Sequence, residues 1–176
     1  MPFALRKIRI ANIWARDSVT QVPWVPQGDI IADLLADFPT RGGATSVWII
    51  EDDRSNLDRV LVALAVNCQH LTHIDYILFD LDLLSQADVK SERVPGDTPD
   101  DTVNALWHLN LVELSGHKLV TLTRRILEQS EDGVILKKRL EELALQAIGS
   151  SRLNTRKINA KMKEELRKLQ GEQRPL

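Results

Sequence analysis

Two apolar runs, VWIIEDD (Val47–Asp53) and YILFDLD (Tyr76–Asp82), each end in paired carboxylates. Both runs are short and apolar, which is typical of a buried strand. The residues between them repeat apolar side chains at helical spacing and predict a helix over 55–68. We therefore predict one βαβ unit over residues 46–80, with parallel, adjacent strands over 46–50 and 74–80 and a right-handed crossover.

The rest of the chain predicts an α/β or α+β protein with a small sheet and a helical C-terminal half. Residues 3–14 partly alternate apolar and charged side chains and predict a third strand. Residues 22–26 and 85–97 contain prolines or polar residues and predict loops. Helices are predicted over residues 27–38, 98–114, 119–127, 134–148 and 154–170.

Residues 98–123 have a second interpretation. LVELSGHKLVTLT (111–123) resembles the β-hairpin wing of winged-helix DNA-binding domains, and residues 98–109 would then be the recognition helix. In that resemblance Asn104 and His108 are the groups suited to reading bases. Acidic residues at the start of this segment repel phosphates, which favours two helices over a wing.

The composition is that of an ordinary globular protein, with 43% apolar and 27% charged residues. We predict a single globular domain over 1–150, followed by a basic amphipathic C-terminal helix or tail over 151–176. The one cysteine, Cys68, excludes an internal disulfide and fits a reducing compartment. No apolar stretch approaches the roughly 20 residues of a membrane span, so we expect a cytoplasmic protein without a membrane partner.

The charge is unevenly distributed along the chain. Residues 151–176 hold eight Lys or Arg and three Glu, a balance of +5, whereas residues 1–150 have a balance of −7. A basic helix with a narrow apolar stripe suggests contact with a protein partner, a second copy of the chain, or a nucleic acid. The candidate contact residues are Arg152, Arg156, Lys157, Ile158, Lys161, Met162, Lys163, Leu166, Arg167 and Lys168.

The paired carboxylates are the candidate metal ligands. If the two predicted strands are adjacent, Asp52, Asp53, Asp80 and Asp82 crowd one edge of the sheet. Mg²⁺ accepts one or two carboxylates together with waters and substrate phosphates. A second reading assigns the same carboxylates to helix caps and turns.

Two family resemblances attach to these motifs. YILFDLD resembles the first motif of haloacid-dehalogenase-type phosphatases, which implies Asp80 as nucleophile and Asp82 as acid/base; Leu83 and Leu84 depart from that motif. VWIIEDD, a helix and YILFDLD also resemble the start of a response-regulator receiver domain. That resemblance implies Mg²⁺ at Asp52 and Asp53.

We rank a non-enzymatic interaction or regulatory protein first, acting through the C-terminal helix. No catalytic residue is assigned, because the sequence contains no complete nucleophile set and its four histidines have no metal-binding spacing. No cofactor is expected in that reading. Nucleic-acid binding by the basic tail, and Mg²⁺-dependent phosphotransfer or hydrolysis at the acidic edge, are the alternatives.

Overall fold

The computed structural model describes residues 2–9, 14 and 30–172, and these form an α+β fold around one antiparallel sheet. The strands are β1 (Phe3–Ile8), β2 (Thr45–Ile50), β3 (Ile74–Asp80), β4 (Lys90–Arg93), β5 (His108–Val112) and β6 (Glu131–Ile135). Their spatial order is β4-β5-β2-β1-β3-β6, and every neighbouring pair is antiparallel.

Seven helices are seen in the described part of the chain, and the C-terminal half is mainly helical. They are α1 (Ala32–Leu35), α2 (Leu57–Val66), α3 (Asp82–Gln86), α4 (Asp101–Leu106), α5 (Gly116–Gln129), α6 (Lys137–Gly149) and α7 (Ala160–Glu172). None of them combines the length and the apolar character that crossing a membrane requires.

The predicted βαβ unit is present, but its strands are not adjacent. Strands β2 and β3 point the same way because each is antiparallel to β1, which lies between them. Ala4 and Leu5 of β1 are both fully buried and pack into opposite cores, so this strand needs a central position. The prediction of adjacent strands was therefore wrong, since it did not foresee where β1 would insert.

The sheet separates two hydrophobic cores. Helices α2, α6 and α7 cover one face, where Leu61, Leu140 and Met162 are buried. Helices α1, α3 and α5 cover the other face, with Leu34 and Leu122 in its core. This three-layer arrangement hides both faces of the central strands and leaves only β4 and β6 as edges within the described residues.

Several predicted segments differ from the structure. Residues 107–114 do not continue a helix, because α4 ends at Leu106 and β5 follows and pairs with β2. The predicted loop over 85–97 contains β4, and the helix predicted from residue 134 begins only at Lys137, after β6. The winged-helix alternative is wrong, since residues 116–129 form α5 instead of the second strand of a hairpin.

The N-terminal predictions can be compared only in part. Strand β1 confirms the first half of the strand predicted over 3–14. Helix α1 is much shorter than the helix predicted over 27–38, whose first residues lie outside the described part. The loop predicted over 22–26 also lies outside it.

Candidate functional site

The acidic sheet edge is the end of the sheet where β2 and β3 finish. The predicted carboxylates follow these two strands and lie near each other, but they do not converge on one point. Strands β2 and β3 end at the same edge, where Phe3 of β1 pairs with both Ile50 and Asp80. Two strand spacings, about 9.5 Å, therefore separate the ends of β2 and β3. Strand alternation does not extend to Asp82, which begins α3.

The carboxylates at this edge serve local turns. Asp80 Oδ1 accepts the backbone N–H of Asp82 at 2.9 Å, and Asp53 Oδ1 accepts that of Ser55 at 2.9 Å. The bond from the Ser55 N–H, helped by the Ser55 side chain, holds the pKa of Asp53 below its usual value. No group of three or more His, Cys, Asp or Glu in the described residues is placed to hold a metal ion.

A cation lies at the middle of this edge. Arg54 has its guanidinium 5.2 Å from the centre of the Phe3 ring and donates two hydrogen bonds to Glu131, at 2.9 and 2.7 Å. Arg54 adopts the left-handed conformation, with φ of 59°, and its N–H donates to the Glu51 carbonyl. The edge is therefore a mixed-charge surface, and the magnesium hypothesis stays a prediction.

The apolar stripe of the C-terminal helix is buried within the chain itself. Ile158, Met162 and Leu166 belong to the core that α2 and α6 form. Asn159 fixes the start of α7, because its Oδ1 accepts the Met162 N–H and its Nδ2 donates to the Cys68 carbonyl at 2.6 Å. The stripe that we expected to be free for a partner is thus part of the fold.

The basic residues of this segment divide into two groups. Several are held by neighbours: Arg152 Nε donates to Ser150, Lys157 pairs with Asp101, Lys161 donates to Gln69, and Lys168 pairs with Glu164. The side chains of Arg156, Lys163 and Arg167 form no ion pair with any described residue, and all three line one open cavity of about 390 Å³.

We call this cavity the basic groove; it lies between the end of α6 and α7. Its lining comprises Ile148, Thr155, Arg156, Ile158, Lys163, Leu166, Arg167 and Gln170. Ile158 and Leu166 are buried and provide an apolar floor, while the three cations have no ion-pair partner among the described residues. Such a groove attracts a negatively charged ligand that also offers apolar contact.

A second cavity, of about 370 Å³, lies near the other end of the central strands. We call it the sheet-end cavity, and its lining is Arg6, Lys7, Arg9, Ser46, Trp48, Leu64, Asn67, Asp97, Thr98 and His108. The rings of Trp48 and His108 face each other across β2 and β5, with centroids 4.6 Å apart. Their contact forms an aromatic wall.

The protonation pattern of His108 follows from its hydrogen bond. Its Nδ1 lies 2.8 Å from the Val94 carbonyl, which only accepts, so Nδ1 carries a proton. Nε2 has no hydrogen-bond partner among the described residues and is an acceptor in the neutral ring. His108 is 7% exposed and is one of the residues that line the cavity.

The cations beside this cavity differ in whether other residues already bind them. Arg6 is occupied, since it donates to the carbonyls of Asp37 and Ser46 at 2.7 and 2.6 Å. Burial lowers the pKa of Arg6 to about 10, against the opposing effect of Asp37. Lys7 donates a hydrogen bond to the Cys68 sulfur at 3.3 Å but forms no ion pair with a described residue, and Arg9 is exposed, so these two cations can still pair with a ligand.

The loop beside His108 is fixed by a buried asparagine. Asn104 Oδ1 accepts both the N–H and the hydroxyl of Thr98 at 2.8 Å, and its Nδ2 donates to the Thr98 carbonyl at 2.7 Å. Gly96 packs so closely that an added Cβ would lie 2.6 Å from Trp48 and 3.1 Å from His108. The loop therefore closes over the aromatic pair only because residue 96 has no side chain.

Sequence reasoning named Asn104 and His108, but for a DNA-reading role in a helix. The alternation of His108, Asn110 and Val112 against Leu109 and Leu111 was the signal for a strand. The basic residues of the groove were found by charge alone. Lys7, Trp48 and Gly96 carried no sequence signal of a site, because strands that are distant in sequence bring them together.

No family model, curated protein or solved structure matches the chain.

Proposed function

We propose that this protein is a non-enzymatic interaction protein that binds an acidic segment of a partner protein in the basic groove. The observation that supports this most is the position of Arg156, Lys163 and Arg167, which share one open groove without ion-pair partners among the described residues. Neighbouring cations on the same segment are paired, so the groove concentrates the available positive charge.

In this proposal the partner contacts the basic groove and not the apolar stripe of α7. The stripe of α7 is buried in its own core and offers a partner little surface. What remains on the outside is positive charge around the apolar edges of Ile148, Ile158 and Leu166. A short acidic segment with one or two apolar side chains complements both features.

A protein segment suits the groove better than a nucleic acid. No aromatic side chain of the described residues lines the groove, and binding of single strands relies largely on stacking against aromatic rings. Residues 1–150 carry a balance of −7, which repels an extended phosphate backbone beyond the groove. Nucleic-acid binding is therefore the alternative that the experiment must distinguish.

Fluorescence anisotropy with two labelled probes tests the proposal. One probe is a 12-residue peptide of glutamate with two leucines, and the other is a 12-nucleotide single strand, both at low and at physiological salt. We expect the peptide to bind, and Arg156→Glu or Arg167→Glu to weaken binding by about tenfold or more, since like charges then face each other.

Arg41→Glu is the matched control, because Arg41 is an exposed cation of the 41–44 turn outside the groove. It should leave peptide affinity nearly unchanged. Absence of peptide binding at low salt, or equal losses in the control, would reject the groove. Tighter binding of the oligonucleotide would select the nucleic-acid alternative. Deletion of α7 would not test the groove, because it would remove part of the core.

The sheet-end cavity supports a second candidate function, binding of a small organic anion. The specific observation is His108: its Nδ1 is fixed by Val94, and its Nε2, which has no partner among the described residues, can accept a hydrogen bond from a hydroxyl group of the anion, such as the P–OH of hydrogen phosphate. Lys7 and Arg9 beside it supply positive charge, and a volume of about 370 Å³ suits a small molecule.

Nuclear magnetic resonance of the His108 ring, titrated with inorganic phosphate and with benzoate, tests this candidate. Saturable shifts that Lys7→Glu abolishes and Arg41→Glu preserves would support it. Shifts that persist in Lys7→Glu, or no saturation with either anion, would reject it.

A further inference from the structure

We propose that strand β6 pairs with β6 of a second copy of this chain, joining two sheets into one across a two-fold axis. Strand β6 is bonded to β3 on one side, and no described strand lies on its other side. An exposed sheet edge presents unpaired backbone N–H and C=O groups that another strand can pair with.

The side chains at the C-terminal end of this edge are apolar and exposed. Large apolar residues exposed in the described part of the chain are Leu106, Val134 and Leu136, and two of the three lie in or directly after β6. Val134 is 55% and Leu136 65% exposed. The opposite edge, β4, has the sequence KSER and is exposed throughout, which is the charged pattern that discourages pairing.

The charges flanking β6 complement each other in an antiparallel pair. Acidic residues, Glu131 and Asp132, begin the strand, and basic residues, Lys137 and Lys138, follow it. Two copies running in opposite directions therefore bring acidic ends to basic ends. Asp132 and Lys138 form no ion pair within the described residues, so both are available for this contact.

The register of the β6–β6 pair follows from the alternation of side chains between the two faces of the strand. A two-fold axis perpendicular to the sheet keeps equivalent faces on one side, so opposite residues must share a face. A pairing centred on Ile135 places Val134 opposite Leu136 of the second copy, and it brings Asp132 towards Lys138 of the second copy. A pairing centred on Val134 would instead place Asp132 against Leu136, so the first register is preferred.

Gly133 leaves room for the Tyr76 ring on one face of β6. The ring of Tyr76 lies over it, and an added Cβ would lie 2.5 Å from that ring. The Tyr76 ring thereby covers the face of β6 that carries Gly133, while the face that carries Val134 stays exposed.

Sedimentation velocity of the full chain from about 1 to 300 µM tests the proposal, and we expect a concentration-dependent monomer–dimer equilibrium. Asp132→Lys should weaken the dimer by about tenfold or more, since it then faces Lys138. The double variant Asp132→Lys with Lys138→Glu restores opposite charges across the axis and should recover the dimer.

Leu136→Lys should also favour the monomer, whereas Leu106→Lys, an exposed leucine near the opposite side of the sheet, should not. Circular dichroism and a urea titration establish that each variant is folded. A monomer at every concentration would overturn the proposal. A dimer that Asp132→Lys leaves intact, or that the double variant fails to restore, would overturn it as well.

Discussion

The basic groove and the sheet-end cavity have nearly the same volume, about 390 and 370 Å³, but they are built differently. The groove is bounded by Arg156, which precedes α7, and by Lys163 and Arg167 of α7, over an apolar floor that belongs to the core. The cavity is bounded by a buried histidine, a tryptophan and a loop fixed by Asn104. The cations of the first come from a single segment of the chain, whereas the second requires pairing of strands distant in sequence.

This difference predicts how each site tolerates change. The cations of the groove can be replaced without disturbing packing, because their charged ends lie outside the core. The sheet-end cavity shares its residues with the fold, so substitutions there should change stability together with any binding. The following predictions test this contrast, in order of decreasing expected effect.

Truncating the floor of the basic groove should cause the largest loss of stability. Leu166 is 3% exposed and packs with α2 and α6, so Leu166→Ala should lower the free energy of unfolding by about 2–5 kcal/mol. Urea denaturation measures this loss. Gln170→Ala, on the exposed rim of the same groove, should change stability by less than about 0.5 kcal/mol. A loss below that value for Leu166→Ala would mean that α7 does not belong to the core.

Removing the amide that fixes the loop should be the next largest effect. Asn104→Ala leaves the N–H and carbonyl of buried Thr98 without partners, at a cost of about 2–3 kcal/mol. Asn110→Ala is the matched control, since its Oδ1 accepts one bond from Ser46 at 3.2 Å. It should cost about 1 kcal/mol. Equal losses in the two variants would contradict the role given to Asn104.

Adding a methyl group at Gly96 should disturb the aromatic pair. The new Cβ would lie 2.6 Å from Trp48, so Gly96→Ala should cost about 1–3 kcal/mol and shift the His108 ring resonances. Gly149→Ala, where nothing lies within 4 Å of the new Cβ, should be neutral or stabilising by up to about 1 kcal/mol. Unchanged resonances in Gly96→Ala would show that the loop does not pack on this pair.

Much of the fold follows from local patterns in the sequence. Strand β3 was predicted to the residue, and β2, α2 and α6 were found within a few residues, because their apolar spacing has a single interpretation. The segment from residue 107 was misassigned, since Leu111 fits both helical spacing from Trp107 and strand alternation with Leu109. Strand β4 contains no apolar residue, so only its backbone pairing with β5 identifies it.

The candidate sites, like the fold, depend partly on local sequence patterns and partly on contacts between residues distant in sequence. The cations of the basic groove are visible as a charge imbalance, but which of them are paired depends on distant partners such as Asp101. Trp48 and His108 lie 60 positions apart in the sequence and become opposite neighbours only through the β2–β5 register. Tertiary placement, and not composition, therefore determines both sites.

The smallest effect concerns the charge that ties α7 to the body. Glu165 accepts bonds from Lys137, the Leu71 N–H and His70 at 3.2–3.3 Å. Desolvation raises its pKa, but these bonds outweigh that effect and leave the pKa below its usual value. A lowered pKa in the folded state stabilises the protein above the unfolded value of about 4.3, and this contribution is lost as the pH falls through the folded pKa.

Glu165→Gln should therefore be less stable than the native chain near pH 7, with a gap that shrinks below about pH 4.5. Urea unfolding at a series of pH values measures the gap. Glu164→Gln, one position away, removes only an exposed pair with Lys168, so its gap should be smaller at every pH. Because Glu165 acts on the helix and not on the groove cations, Glu165→Gln should alter stability while leaving acidic-peptide affinity intact. If Glu165→Gln also weakened binding of the acidic peptide, binding in the basic groove would depend on how α7 is positioned, as binding in the sheet-end cavity depends on the residues around it.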